Sequence, residues 1–428
     1  MTITSMRPAL FTILFAGTLI SSSLETAKVK LTDSPVETDL VLPKGFSAYS
    51  VIDKLGGNRH LFVNSNGDIY VKLDKLKDGK GIVVLRDAKK DGKYDIVKSF
   101  GNYTGTGMVI KNGYLYATSD EEVYRYKLNA ANEVADPDHP EKIVTGLLKA
   151  GQHESKSIAL DNGGNLYVTI GAPANACQVV DRTAGSPGKD PCPLLEKAGG
   201  IWQFKANKLN QSYAQGIRYA TGIRNIVGVN WNTNQNQLYG VQHGRDQLST
   251  FYPKLYTDEQ SAELPAEEFF LIKKGSDFGW PYCYYDQIQK KKILGPEYGG
   301  DSKQIGRCAG KDLPIMGFPG HWAPNDLLFY TGNMFPERYR NGAFIAFHGS
   351  WNRAPLKQAG YYVVFVPFKN GKPSGNYEIF ANGFIGKESI SGPNQAKYRP
   401  CGLAQGPDGS LYVSESTVGK IWKITYKK

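Results

Sequence analysis

Cysteine is scarce in this sequence, with five residues among 428, and no two of them stand in a CxxC spacing. That spacing is common to zinc-ribbon and c-type haem attachment sites, so neither is indicated. No stretch of useful length shows the 3.6-residue periodicity of an amphipathic helix. Hydrophobic residues make up 41% and aromatic residues 12% of the chain, while 48 glycines and 23 prolines supply turns. We therefore expect a well-packed, turn-rich globular protein.

Long hydrophobic runs are also missing, apart from one near the N-terminus. An apolar segment at 8–20 follows Arg7 and precedes three serines at 21–23. A membrane-spanning helix needs about 20 apolar residues, whereas a signal peptide has a shorter apolar centre between a positive start and small residues. We predict that residues 1–23 are a signal peptide and that the protein is exported, to the periplasm or outside the cell. An uncleaved or lipid-linked anchor stays open, although no cysteine follows the segment to carry a lipid.

The net charge of +11 is the one bulk property that favours nucleic acid or a membrane surface as a partner. The lysines are scattered, however, and the sequence has neither a basic helix nor an aromatic RNA-binding signature. We interpret the charge as a solvated basic surface and expect no nucleic-acid partner.

Export to an oxidising compartment makes disulfides expected. Cys177 and Cys192 bracket one loop-like stretch, and Cys283 and Cys308 bracket another. Pairing within each stretch is the simplest connectivity, although sequence alone does not decide among the alternatives. Cys401 would then be a buried free thiol.

A short unit recurs along the chain: a turn containing Asn, Asp or Gly, followed by an alternating strand centred on residues such as Leu-Tyr-Val. Its six copies lie at 66–71, 112–117, 164–168, 236–240, 341–346 and 408–413. Asn-Gly and Asp-Gly provide the positive φ angles of tight hairpin turns. Further strands precede and follow each copy. Four strands in each of six units predict an all-β fold, a six-bladed β-propeller of four-stranded antiparallel blades.

The spacing of the copies indicates a single catalytic domain, at 40–428, with two insertions. The later copies are further apart than one blade requires, which places candidate insertions at 174–198 and 250–320. Loops of this length are usually functional or tied by disulfides. We expect the strand near 46–51 to pair with the C-terminal blade, because this closes the ring and removes exposed strand edges.

Basic residues precede comparable strands in four of the predicted blades, at Arg59, His153, Arg224 and Arg399. Equivalent positions converge on the channel of a propeller, so these residues predict a site for a polyanionic small molecule. Asn225 adjoins Arg224, and His153 is the candidate general base, because histidine titrates near working pH. The alternative is that the arginines cap blade edges and contact only solvent.

Two more segments at blade ends carry candidate site residues. His348 and Asn352 belong to the His-Gly-Ser-Trp-Asn-Arg loop, whose composition is difficult to explain by core packing. Gly244 and Arg245 directly follow the fourth-blade strand, where backbone carbonyl oxygens could ligate Ca²⁺, a cation that prefers oxygen. A simple turn with an Arg–Asp pair is the alternative for this second segment.

Taken in order, these motifs resemble those of the sugar dehydrogenases that depend on pyrroloquinoline quinone (PQQ), the soluble glucose dehydrogenase-like family. The closest resemblance is to its sorbosone dehydrogenase-like branch. The matching segments are His153 with 166–177, then 222–225, 243–246, 277–283, 328–332, 335–339, 346–353 and 399–403. Each motif is weak alone, and the ordered set is what makes the resemblance specific.

The resemblance implies a quinoprotein oxidoreductase that oxidises a sugar or a sugar-derived alcohol or aldehyde. It implies that His153 takes the proton of the substrate hydroxyl while hydride passes to the quinone. The expected cofactor-binding residues are Arg59, Arg224, Asn225, His348, Asn352 and Arg399. A Ca²⁺ ion is expected at the backbone oxygens of Gly244 and Arg245. PQQ carries three carboxylates, which suits arginine.

The same resemblance implies partners and leaves some features open. No CxxCH motif is present, so electrons would leave to a separate acceptor such as a cytochrome, a quinone or a dye. Ring closure favours a monomer or a simple dimer. Gln242-His243 replaces the usual Glu-Asn, and the segments 324–327 and 392–398 also depart from the family pattern. These departures leave the metal ligands and the sugar specificity undetermined.

Two other functions remain to be weighed against this one. A calcium-dependent propeller lactonase or hydrolase would need channel carboxylates as direct metal ligands, whereas the convergent positions hold arginines and a histidine. A non-enzymatic ligand-binding propeller would have no reason to gather three channel arginines beside the His348–Asn352 loop. Both features favour the dehydrogenase.

Overall fold

The computed structural model describes residues 40–149 and 151–427, which fall in one compact unit. The predicted signal peptide at 1–23 lies outside the described residues and stays a prediction. Within the described part of the chain, no helix is both long and apolar enough to cross a membrane.

The fold is an all-β propeller of six blades, which confirms the predicted fold class. Each blade is built on four antiparallel strands. The inner strand comes first along the chain in blades 1 to 5, whereas blade 6 takes its outer strand from the N-terminal side of blade 1. Blade 1 comprises β2 (Asn58–Val63), β3 (Ile69–Lys77), β4 (Lys80–Arg86) and β5 (Asp95–Phe100). Blade 2 comprises β6 (Met108–Lys111), β7 (Tyr114–Thr118), β8 (Val123–Lys127) and β9 (Glu141–Thr145). Blade 3 comprises β10 (Ile158–Leu160), β11 (Asn165–Ile170), β12 (Gly200–Lys205) and β14 (Ile217–Thr221). A short strand, β13 (Gln211–Ser212), pairs in parallel with β9 and extends blade 2.

Blades 4 to 6 contain longer connections. Their blade strands are β15 (Ile226–Asn232), β16 (Gln237–Gln242), β17 (Glu267–Ile272) and β21 (Met316–Phe318); β22 (Pro324–Phe329), β23 (Ala343–His348), β24 (Tyr361–Val366) and β27 (Glu378–Ala381); and β28 (Pro400–Gln405), β29 (Leu411–Glu415), β30 (Ile421–Tyr426) and β1 (Phe46–Ile52). The connections add α1 (Leu248–Phe251), α2 (Asp258–Glu263), β18 (Ser276–Asp277), β19 (Cys283–Asp286), β20 (Lys291–Leu294), β25 (Phe368–Lys369) and β26 (Lys372–Pro373). Single 3-10 turns lie at Pro193–Glu196, Tyr213–Gln215, Pro296–Tyr298, Gly306–Gly310, Glu337–Tyr339 and Pro393–Gln395.

The repeated Asn-Gly turns explain why these residues form hairpins. Asn112 and Gly113 have φ angles of 52° and 77° and connect β6 to β7. Positive φ at both central residues matches the turn to the right-handed twist of its strands. The alternating strand that follows each turn then buries its apolar residues between neighbouring blades.

The ring is closed by the N-terminal strand, as predicted. β1 pairs antiparallel with β30, and Phe46 stands opposite Tyr426 in the register. The Phe46 ring also lies against Phe335, Tyr339 and Phe380 of blade 5, with centroid distances of 4.8, 5.3 and 5.0 Å. Edge-to-face contacts of this kind add to the area that the ring buries, so the closing strand is anchored on both sides.

The two predicted insertions differ in outcome. The segment 174–198 is an insertion between β11 and β12, whereas 250–320 is only partly one, because it includes the blade strands β17 and β21. The predicted pairing is confirmed, with disulfides Cys177–Cys192 and Cys283–Cys308 and a buried free thiol at Cys401.

The inner strands of all six blades surround a central channel. The starts of these strands and the ends of the second strands meet at one end of the channel. The segments that precede β10, β15 and β28 carry four of the predicted site residues to this end. Arg59, which was expected before the first blade, is the second residue of β2 and lies at the same end.

Candidate active site

A cavity that opens to solvent lies where β10, β15 and β22 begin. Its walls are His153, Arg182, Arg224, His243, Gly244, Asp246, Glu267, His321, Ala323, Trp351 and Asn352. Four of the predicted residues therefore share one cavity, although they come from distant parts of the sequence: His153, Arg224, Gly244 and Asn352.

Asp246 is the central anion of this cavity. Its Oδ2 accepts hydrogen bonds from Nη2 of Arg224 at 2.7 Å and from Nη2 of Arg182 at 3.1 Å, and its Oδ1 accepts one from Nδ2 of Asn352 at 2.8 Å. Burial alone would raise the pKa of Asp246, but Arg224, His321 and Arg182 together hold it well below its usual range. The carboxylate is thus ionised, and it fixes the side chains of Arg224 and Asn352 against each other.

Arg224 is a buried guanidinium with an unused donor. Its residue is 3% exposed, and Nη2 also donates to Oδ1 of Asn175 at 3.2 Å. Its buried Nε has no hydrogen-bond partner. Burial lowers the pKa of Arg224, and Asp246 opposes that shift. A buried donor without an acceptor is costly, so an oxygen-rich anion bound in the cavity would be stabilised here.

His153 is held in one tautomer by the backbone. Its Nδ1 lies 2.5 Å from the carbonyl oxygen of Ala172, which can only accept, so Nδ1 carries the proton and Nε2 is left as the basic nitrogen. Burial, followed by the charge of Arg224, lowers the pKa of His153 to about 3. The imidazole is neutral at working pH, which is the form that a general base requires.

Asn225 lies directly beside this histidine. Its Oδ1 is buried and has no hydrogen-bond partner. A Cβ built at Gly171 would lie 3.0 Å from that oxygen and 2.4 Å from the carbonyl oxygen of His153. Glycine is therefore required where the end of β11 passes between the two predicted site residues.

The other three predicted cofactor residues form an adjoining group rather than part of the cavity wall. Arg399 donates from Nε to the carbonyl oxygen of His348 at 3.0 Å and from Nη2 to that of Gly349 at 2.8 Å. Arg59 donates to the hydroxyls of Thr106 and Ser155. Burial lowers the pKa of His348 well below its usual range, and the charges of Arg399 and Arg59 lower it further. All three side chains are half-buried on the same end of the channel.

The predicted metal residues can offer only backbone oxygen. The N–H of Gly244 donates to Oε2 of Glu267 at 2.9 Å, and the Arg245 guanidinium is buried in an ion pair with Glu297. Across residues 40–149 and 151–427, no group of three or more His, Cys, Asp and Glu side chains has the arrangement of a metal site. A cation at this position would therefore depend on backbone carbonyls and on oxygens of a bound ligand.

Several wall residues were not predicted from the sequence. His321 places Nδ1 3.7 Å from Oδ1 of Asp246, and its pKa is raised, because Asp246 and Glu267 outweigh the effect of burial. Burial raises the pKa of Glu267 to about 7. Trp351 is 53% exposed at the cavity wall. His243, Asp246 and Trp351 had a sequence signal, since each lies within a motif that carried a predicted residue.

The chain is similar to known proteins in both sequence and fold. It matches the TrAA12-like family model over residues 40–427 and belongs to that family. A PQQ-dependent sugar dehydrogenase from Hypocrea jecorina is 23% identical over 446 residues, which cover 97% of this chain and 95% of the relative. The resemblance predicted from the sequence motifs is confirmed.

Solved structures agree on the fold. A calcium structure of the Trichoderma reesei protein of carbohydrate-active enzyme family AA12 has a TM-score of 0.72 and 19% identity, and covers 91% of this chain and 97% of that one. The holo form of the PQQ domain of pyranose dehydrogenase from Coprinopsis cinerea has a TM-score of 0.69 and 19% identity, and covers 90% and 97%.

Proposed function

We propose that the protein is a PQQ-dependent quinoprotein oxidoreductase that oxidises a sugar or a sugar-derived alcohol or aldehyde. The observation that carries the proposal is the buried, unpartnered Nε of Arg224, a residue that lines the cavity beside His153. A cofactor with three carboxylates supplies the acceptor that this donor needs. The family and the names of its relatives agree with this chemistry.

The residues around the cavity fit the cofactor in residue type. Arg224 and Asn352 would bind it from the cavity wall, and Asn225 would contribute its unpartnered Oδ1 or its amide donors. Arg59, His348 and Arg399 would extend the site towards blades 6 and 1. When bound, PQQ supplies the hydride acceptor, which no amino-acid side chain provides.

His153 is proposed as the general base. Its Nε2 would take the proton of the substrate hydroxyl as hydride leaves the carbon that bears this hydroxyl. The hydrogen bond from Nδ1 to Ala172 fixes the ring before substrate arrives, so the proton transfer requires no tautomer change. The neutral state of the imidazole is maintained by burial and by Arg224.

Calcium, the electron acceptor and the location of the protein belong to the same proposal. Ca²⁺ would be bound by backbone oxygens of Gly244 and Arg245 and would polarise the quinone. A separate carrier would take the electrons, and the protein would act as a monomer or simple dimer after export. Cleavage of residues 1–23 is checked by N-terminal sequencing of the protein recovered from the exported fraction.

A lactonase is disfavoured by the same geometry. Asp246, the ionised carboxylate of the cavity, is already paired with Arg224 and Arg182. A metal ion there would have to displace two guanidinium groups.

Reconstitution tests the proposed function directly. The purified protein without bound cofactor is titrated with PQQ in the presence of Ca²⁺ and followed by quinone absorbance, and aldoses are then screened with a dye as electron acceptor. Saturable, stoichiometric binding and reduction by a sugar would support the proposal. No binding at micromolar PQQ with calcium present would contradict it.

A further inference from the structure

Gln242, at the end of β16, connects the backbone of Arg224 to a buried ion pair. Its Oε1 accepts a hydrogen bond from the Arg224 N–H at 2.9 Å, and its Nε2 donates to Oε1 of Glu268 at 2.7 Å. Nζ of Lys292 donates to Oε2 of the same carboxylate at 2.8 Å. Each of these four residues is 5% exposed or less. The chain of contacts is therefore shielded from water along its whole length.

Hydrogen bonds at both ends fix the direction of the Gln242 amide. The Arg224 N–H can only donate, and Oε1 of Glu268 accepts from Nε2 of Gln242, so the NH₂ group of Gln242 faces Glu268. The carbonyl of the amide is then directed at the Arg224 N–H. Burial raises the pKa of Glu268, and the Lys292 ammonium, whose Nζ lies 2.8 Å from Oε2, opposes that rise. Lys292 thereby holds the carboxylate that anchors Gln242, and Gln242 in turn holds the backbone of Arg224.

This backbone segment carries two of the predicted cofactor residues. The carbonyl oxygen of Arg224 accepts from the N–H of Ala172 at 2.8 Å, and that of Asn225 accepts from the N–H of His243 at 2.9 Å. Gln242 supplies the bond to the remaining N–H of Arg224. The starting point of the Arg224 side chain, and hence the position of its unpartnered Nε, depends on that bond.

Lys292 comes from the insertion in blade 4 and not from a blade strand. It lies on β20, which pairs with β19 so that Cys283 stands opposite Leu294. The disulfide Cys283–Cys308 ties this hairpin, and Lys292 also donates to the carbonyl oxygen of Phe278. Lys292, Glu268 and Gln242 are absent from the wall of the cavity that holds His153. Gln242 and Glu268 instead line a small neighbouring pocket, which also borders Arg224 and Gly244.

We propose that Lys292, Glu268 and Gln242 position the Arg224–Asn225 backbone for PQQ, so that the disulfide-tied hairpin sets cofactor affinity without lining the cavity. This inference rests on the proposed function. The three residues are positioning residues and take no part in the chemistry. The arrangement also gives a physical role to Gln242, which departs from the Glu expected at this place.

Lys292→Met is the first test, measured as the Kd for PQQ with Ca²⁺ present and the sugar absent. Loss of the ammonium leaves Glu268 buried without its cation, so we expect the carboxyl group to take up a proton or move, and Nε2 of Gln242 then loses its fixed acceptor. We expect the Kd to rise about tenfold or more. In the double variant Glu268→Gln/Lys292→Met, position 268 keeps a carbonyl acceptor and no charge is left unpaired. We expect the Kd to return to within about threefold of the unchanged protein.

Ile293→Ala is the matched control, because Ile293 is fully buried in the same hairpin and packs away from the chain of contacts, beside Leu248 and Tyr256. It should lower the Tm of the cofactor-free protein and leave the Kd unchanged. A Kd within twofold of the unchanged protein in folded Lys292→Met would overturn the inference. If that variant does not fold, the Kd for PQQ is measured with Gln242→Leu instead, and a value within twofold of the unchanged protein would again overturn the inference. Failure of the unchanged protein to bind PQQ is a separate result, which overturns the proposed function itself.

Discussion

Nδ1 of His153 lies 2.5 Å from the carbonyl oxygen of Ala172, and the intervening Gly171 leaves no room for a side chain. The end of β11 thus holds the imidazole by its far nitrogen and presents the other nitrogen as the base. The same turn of chain approaches Asn225. Proton removal and cofactor binding therefore depend on one short piece of backbone.

His153→Ala should retain PQQ binding and lose turnover. Removal of a positioned general base lowers kcat by roughly 10²- to 10⁴-fold. The variant is assayed for PQQ binding by absorbance and for turnover with a dye acceptor. His139→Ala, which removes an exposed histidine far from the cavity wall, is the control. Turnover close to that of the unchanged protein would remove His153 from the role of base.

Gly171→Ala should lower kcat while the protein stays folded. The added Cβ would lie 2.4 Å from the carbonyl oxygen of His153 and 2.6 Å from its Cβ, so the loop must move. A displacement of about 1 Å at the base costs up to roughly 100-fold in rate. Gly163→Ala is the control, because the nearest atom to its new Cβ would be 3.5 Å away. Equal rates in the two variants would contradict this prediction.

Arg224→Ala should weaken PQQ binding. The substitution removes the unpartnered Nε donor and takes from Asp246 its closest cation. Hydrogen bonds to charged groups contribute about 1.5–3 kcal/mol, which corresponds to roughly 10- to 100-fold in Kd. Equilibrium titration measures the effect, and Arg218→Ala, at an exposed arginine of β14, is the control. An unchanged Kd would exclude Arg224 from the site.

Stability should fall on acidification because of two buried histidines. Burial lowers the pKa of His153 to about 3 and that of His243 to about 4, whereas histidine in an unfolded chain titrates near 6.5. The unfolded chain binds more protons between these values, so the stabilisation is complete above pH 6.5 and is lost as the pH falls towards 4.

Thermal unfolding at pH 7.5 and pH 4.5 measures this effect. His243→Gln removes one of the two titrating groups, so its Tm should depend less steeply on pH than that of the unchanged protein. His139→Gln, at an exposed position, should not differ in slope. The same slope in all three proteins would mean that His243 does not contribute to the acid sensitivity.

Removal of Ca²⁺ should weaken PQQ binding but should leave the stability of the cofactor-free protein unchanged. The protein would offer the ion only the backbone oxygens of Gly244 and Arg245, and the rest of the coordination would come from the cofactor. We therefore expect Ca²⁺ and PQQ each to bind weakly without the other. PQQ titrations with Ca²⁺ and with a chelator in excess are compared, along with the Tm of the cofactor-free protein. Equal Kd values in the two conditions would leave the ion without a role in binding.

The repeat pattern predicted the blades because each copy combines a turn signal with a strand of period two. It also placed His153 and Arg224 at one end of the channel, since both precede the inner strand of a blade. Asn352 was found from local composition alone. These predictions depend on short-range sequence, in which turn chemistry and side-chain alternation are visible.

The rest of the cavity depends on contacts between distant segments. His321 follows the insertion in blade 4 and belongs to no repeat, so nothing in the sequence connects it to Asp246. The pairing of Arg182 with the same carboxylate comes from the first insertion. Insertion geometry is set by disulfides and tertiary packing. The repeat pattern predicts the segment 250–320 as one insertion, because the blade strands β17 and β21 have no turn signal of their own.

The pairing of β1 with β30 has a consequence for how the protein forms. Blade 6 takes three strands from one end of the chain and its outer strand from the other. The last blade is incomplete until the C-terminal strands have been synthesised. Because β1 and β30 are separated by most of the chain, we expect their pairing to be a slow step in folding. The group formed by Arg59, His348 and Arg399, which includes residues from both sides of this closure, therefore assembles only after the C-terminal strands are available.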